Sequence, residues 1–159
     1  MIVWSALAGG LVGTIVLTGG LRVSQEAGLT RMDLPLLLGS ALVRDRSRAS
    51  VVGLALHFLF GLLFSLGYAA VFWAVGNSTW WFGAILGAVH AVLAGGVLVT
   101  VALPAVHPRM GTPWTDASRT PLLEPPGFLL HNYGRTTAAV TVVVHVAYGA
   151  IVGWFAGGF

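Results

Sequence analysis

The chain of 159 residues is 57% hydrophobic and only 8% charged, with a formal net charge of +3 and no cysteine. Soluble domains average about 45–50% apolar and about 25% charged residues, so a water-soluble fold of this size could not hide the apolar excess. The lack of cysteine excludes disulfides, thiolate metal sites and cysteine nucleophiles.

The eight basic and five acidic residues all fall in two windows, Arg22–Arg48 and Arg109–Arg135. The apolar stretches 2–21, 49–75, 80–105 and 136–159 remain, each near or above the ~20 residues that cross ~30 Å of hydrocarbon. None alternates at period two, and lipid demands that backbone groups pair within the spanning segment, so each stretch is predicted to be a helix. The expected fold is an all-α membrane protein, a bundle of four transmembrane helices forming one domain over 1–159.

Stretch 2–21 has no basic region before it and no A-x-A signal after it, so it reads as a retained span and not a signal peptide. The loop 22–48 follows. If the first helix continues to about Leu29, Arg22 and Glu26 stand four apart and can pair on its exposed side. Asp33-Leu34-Pro35 has the form of an N-cap followed by proline in the first helical turn, which predicts a short interfacial helix at the inner surface. Glu26, Arg31 and Asp33 are therefore read as interfacial residues forming a salt bridge and a cap, with a catalytic carboxylate as the alternative. Arg44, Arg46 and Arg48 read as a topology anchor that touches anionic lipid heads.

Stretch 49–75 ends at the uncharged turn Gly76-Asn77-Ser78-Thr79, and stretch 80–105 leads into the loop 106–135. There Pro108, Pro113, Pro121, Pro125 and Pro126 exclude a long helix, while Leu122-Leu123 and Phe128-Leu129-Leu130 are apolar enough to fold against the bundle mouth. Both loops carry arginines; the turn 76–79 and both chain ends carry none. The positive-inside rule then predicts two cytoplasmic loops and two ends outside, with Trp4, Trp80, Trp81 and Trp154 near the outer interface.

No charged residue falls inside a predicted span, which removes the usual marks of a proton pump, a voltage sensor or an ion-coupled carrier. Histidine is the exception. His57, His90 and His145 lie in the second, third and fourth spans, roughly 10, 20 and 15 Å from the loop ends of their helices at 1.5 Å per residue. His107 and His131 lie at loop ends.

Small residues recur every four positions beside these histidines: Gly53, His57, Gly61 and Ser65; Gly83, Gly87, Ala91 and Gly95; His145, Gly149 and Gly153. Such stripes mark faces where membrane helices approach closely, so the histidines are expected to point inward. Three roles fit them: packing with satisfied ring nitrogens, the lining of a polar cavity with Ser65 and Thr141, or ligation of haem or metal by His57 and His145. No carboxylate lies in a span to complete a metal shell, and no C-x-x-C-H exists for covalent haem. His57-x-x-x-Gly61 and His145-x-x-x-Gly149 also suggest a parallel two-fold hairpin repeat.

Soluble-enzyme signatures such as the P-loop, G-x-S-x-G, H-E-x-x-H and the dinucleotide fingerprint are missing. The segments Gly-Leu-Val-Gly-Thr at 10–14, Arg-Met-Asp-Leu-Pro-Leu-Leu-Leu-Gly at 31–39, His57-x-x-x-Gly61 and His145-Val-Ala-Tyr-Gly149 give the chain a look similar to bacterial four-helix membrane proteins of the uncharacterised, domain-of-unknown-function kind. That resemblance implies a bacterial plasma (inner) membrane setting and carries over no activity and no residue role. The expected function is an accessory or structural subunit of a larger membrane complex, not an enzyme. The alternative is a transporter or a haem- or metal-binding redox module built on His57, His90 and His145. No cofactor is expected under the first reading. Expected partners are the lipid bilayer, other membrane subunits or a second copy, and not nucleic acid.

Overall fold

A computed structural model describes residues 2–111 and 123–157. Pro113, Arg119, Pro121 and Leu122 lie outside the described residues. The elements are α1 (Ile2–Glu26), α2 (Leu34–Ser40), α3 (Arg46–Val75), α4 (Trp80–Ala91), a π-helical segment (Val92–Ala102), α5 (Leu103–Val106), a 3-10 turn (Phe128–Tyr133) and α6 (Thr137–Gly157). The described residues contain no strand, only an isolated parallel bridge between Met110 and Leu123.

Four helices are long and apolar enough to cross a membrane: Ile2–Glu26, Arg46–Val75, Trp80–Val106 and Thr137–Gly157. Only 28–44% of the most apolar window of each is buried within the chain, so most of their surface faces outward and suits lipid. Helix ends follow capping chemistry more closely than hydropathy. α1 runs past Leu21 because Arg22 and Glu26 pair along its last turn, Nε to Oε1, at 2.9 Å. α3 starts at Arg46 because an Asp45 carboxylate oxygen accepts from the Arg48 N–H at 2.9 Å. It stops at Gly76, which adopts the left-handed φ of 69° and donates its N–H to the Phe72 carbonyl.

Among these helices α1 packs against both α3 and α6, and α6 packs against both α1 and α4. The small-residue stripes make these contacts close. A Cβ on Gly9 would come within 2.8 Å of the Phe155 Cβ, and one on Gly13 within 2.8 Å of the Tyr148 ring. A Cβ on Gly87 would overlap the His145 carbonyl oxygen, and one on Gly61 the Thr14 hydroxyl. Gly153 is pressed against the Thr79 carbonyl and Gly95 lies beside Leu130 and Thr141. By contrast α3 and the third span meet mainly through side chains, such as Phe72 and Phe82 with ring centroids 6.0 Å apart.

The third span changes its winding midway. From Val92 to Ala102 it is π-helical, and the Thr100 hydroxyl donates to the Gly95 carbonyl five residues back at 2.6 Å. Gly95-Gly96 lowers the cost of altered backbone geometry, and Pro104, which lacks an N–H, follows directly. π-Helical turns inside membrane or soluble helices concentrate at functional sites.

The two loops pack on each other at one end of the bundle. α2 begins where the Asp33 carboxylate accepts from the Leu36 N–H at 3.0 Å, and it runs beside the first turns of α3. The approach is so close that a Cβ on Gly39 would overlap the Ala49 carbonyl, and one on Gly53 the Pro35 carbonyl. The Arg31 N–H donates to the Tyr133 carbonyl at 2.7 Å, while the buried hydroxyls of Thr30 and Thr137 bond at 2.8 Å. The Tyr133 hydroxyl donates to the Glu124 carbonyl. Burial, reinforced by Glu124 and opposed by Arg31, pushes the Tyr133 phenol up to about 12.

Candidate functional site

Because α3 and the third span do not close on each other, a cavity of about 550 Å³ lies between them. Its wall toward the loop end is aliphatic, including Leu34 and Leu38 of α2, Leu98 and Ala102 of the π-helical segment, and Leu103 of α5. Deeper in, it meets His57, His90, His145 and Tyr148. No charged side chain lines it. Phe60 and Leu63 on one side and Leu98 and Val106 on the other also stand exposed on the outer surface, so the cavity opens sideways between the two helices.

The three histidines of the long apolar helices come from three different helices and are each 7–8% exposed. The crossing of α4 and α6 at Gly87 and Gly149 sets His90 and His145 edge to face, with ring centroids 4.7 Å apart. Phe64 stacks on His90 at 4.0 Å, and the Tyr68 hydroxyl lies 3.3 Å from the His90 Nδ1. The Tyr148 hydroxyl donates to the Gly61 carbonyl and ties α6 to α3 beside the cavity.

Hydrogen-bond partners decide which ring nitrogens are free. The His145 Nδ1 lies 2.7 Å from the Thr141 carbonyl, and a carbonyl only accepts, so that nitrogen carries the proton. Its Nε2 is then a bare lone pair. The His57 Nδ1 is enclosed and has no partner among the described residues. Ser65 and Thr141 do not supply polar lining: their hydroxyls donate to the Leu62 and Thr137 carbonyls, and neither residue borders this cavity. Tyr68 and Tyr148 are the polar neighbours that sequence reasoning missed; the signal available was Tyr148 three residues beyond His145, on nearly the same helical face.

A second pair looks like hydrolase chemistry and is not. Ser40 Oγ lies 3.2 Å from the His107 Nε2, both side chains buried, where α2 meets the end of the third span. The Arg109 N–H donates to the His107 Nδ1 at 3.1 Å, so in the neutral ring Nε2 holds the proton and cannot take one from serine. That Nε2–H is shared between Ser40 Oγ and the Leu37 carbonyl, also at 3.2 Å, which makes the pair a clamp between the loops. Burial holds the His107 imidazole below its ordinary value; the Leu37 carbonyl opposes the shift and Arg109 adds to it.

None of the interfacial candidates lines the cavity. Glu26 pairs with Arg22, and Asp33 caps α2. Arg31 bridges to Glu124 at 3.2 Å and to the Asn132 carbonyl, and His131 is exposed on the 3-10 turn. Among the described residues no group of three His, Asp or Glu side chains is placed to hold a metal ion. No family model matches the chain, nor does any curated protein or solved structure.

Proposed function

We propose that this protein is a small membrane-embedded accessory subunit that holds an apolar small molecule in the cleft between α3 and the third span. The cavity carries this reading: about 550 Å³, aliphatic toward the loop end, and open sideways between the two apolar helices. Ligand sites of this size are mostly apolar, with a few placed polar groups that fix orientation. His57, His90 and His145 fill that second role here. The confinement of arginines to the two loops supports a plasma-membrane orientation of bacterial type with both loops cytoplasmic and both ends outside.

Native mass spectrometry of the detergent-purified chain tests the reading. Wild type is expected to carry a bound apolar molecule, or to take one up from added lipid extract, and Ala102→Phe, which fills the cavity, is expected to lose it at an unchanged melting temperature. A wild-type chain that stays empty overturns the proposal. The bare Nε2 lone pair of His145 favours a second reading, in which haem or a metal ion is held at His57 and His145. An absorption spectrum with elemental analysis separates the two: a Soret band or stoichiometric metal lost in His145→Ala favours ligation.

A further inference from the structure

Resting on the cleft as a binding site, we infer that its occupant is an uncharged amphiphile with a hydroxyl head placed among the histidines that line the cavity, His145 and His57 among them, and an apolar chain that runs toward the loop end. The lining has no charged side chain, so an ionised head would sit in the cavity without a counter-charge. The head is therefore neutral.

The two histidines define its hydrogen-bonding character. The His145 Nδ1–H is committed to the Thr141 carbonyl, so only its Nε2 lone pair faces a ligand, and that nitrogen can only accept. At His57, 7% exposed, the enclosed Nδ1 has no hydrogen-bond partner among the described residues. An orphaned buried N–H is rarer and costlier than an unfilled lone pair, so the proton resides on Nε2, which is left to donate. His90 lines the same cavity with its Nδ1 beside the Tyr68 hydroxyl, and the acceptor at His145 with the donor at His57 matches a group that both donates and accepts. A hydroxyl does both without charge. Ethers and ketones only accept, and carboxylates and amines would arrive ionised.

Long-chain isoprenoid alcohols and alkylated hydroquinones share this chemistry, and binding measurements on the full chain in detergent separate them. The probes are tritiated farnesol, farnesyl methyl ether, which keeps the chain but has no donor, and decylhydroquinone as a competitor. Farnesol is expected to bind wild type about tenfold more tightly than its methyl ether. His145→Phe should abolish the preference for farnesol over its ether, and the binding of the ether that remains shows that the cleft still forms. Tighter displacement by decylhydroquinone assigns the phenolic source, and weaker displacement the isoprenoid one. Equal wild-type affinity for alcohol and ether overturns the hydroxyl assignment but leaves the cleft reading intact. Absence of binding by all the probes overturns both. Should His145→Phe fail to fold, the wild-type comparison of alcohol with ether decides by itself, and His57→Phe serves as the second variant.

Discussion

Gly83 and Gly149 cross so closely that a Cβ on either would overlap the carbonyl oxygen of the other. This contact sets the separation of α4 and α6, and with it the edge-to-face placement of His90 against His145. Backbone here meets backbone, which cannot yield as a flexible side-chain tip can.

Gly149→Ala is accordingly expected to destabilise the protein by about 1–3 kcal/mol, the usual cost of overpacking a filled interior. Gly67, on α3, has open space where a Cβ would go, so Gly67→Ala should be neutral or stabilise the helix by about 0.5–1 kcal/mol. Thermal unfolding of both variants in the same detergent checks the contrast. Equal melting temperatures would show that the crossing does not hold the fold together.

The first loop is joined to the second by an exposed ion pair and to the start of α6 by a buried hydroxyl pair, and these should differ in weight. Arg31 and Glu124 keep 68% and 49% of their side-chain surface, so solvent screening leaves Glu124→Gln with an effect below about 1 kcal/mol. Thr137→Val removes one of the two hydrogen bonds of the Thr30 hydroxyl, buried at 3% exposure, and leaves the one from the Met32 N–H, at a cost of about 1 kcal/mol or a little more. Denaturation midpoints of the two variants should rank in that order.

The His107 clamp predicts acid sensitivity. Its folded pKa lies below the ordinary 6.5, so protons bind the unfolded state more readily. The stability it contributes is full above about 6.5 and is lost as pH falls from there toward the lower folded value. Melting temperatures of wild type and His107→Asn, followed from pH 8 downward, should converge on acidification. A difference that stays constant or grows would count against the buried neutral ring.

Leu129 sits in the left-handed region, at φ 50°, while more than half of its surface remains exposed. A β-carbon in that region costs about 1–2 kcal/mol, and little burial offsets it. Leu129→Gly is expected to raise the unfolding free energy by about 1 kcal/mol, less the flexibility it adds to the unfolded chain. A calorimetric or denaturant series measures the sign.

The natural chain has no cysteine, so single engineered cysteines report orientation cleanly. Arg46→Cys and Arg135→Cys should react with an impermeant thiol reagent from the same membrane face, and Asn77→Cys only from the other. Labelling of Arg46→Cys and Arg135→Cys from opposite faces would dismantle the proposed topology.

Hydropathy and charge placement by themselves determined that four helices are long and apolar enough to cross a membrane, because transfer to lipid depends on local composition and length. The start of α2 was equally legible, since Asp33 and Pro35 act on the backbone within one turn. Tertiary structure alone decided which small-residue stripes meet and which pair of helices stays apart. The crossing of α4 with α6 at Gly83 and Gly149, and of α1 with α6 where Gly9 meets Phe155 and Gly13 meets Tyr148, is a non-local sum of packing contacts, and no window of sequence contains both partners. The cavity between α3 and the third span, the bare nitrogen of His145 and the inert proton arrangement of Ser40 and His107 follow from those distances. They depend on where a carbonyl or an N–H comes to rest beside a ring, which residue identity leaves open.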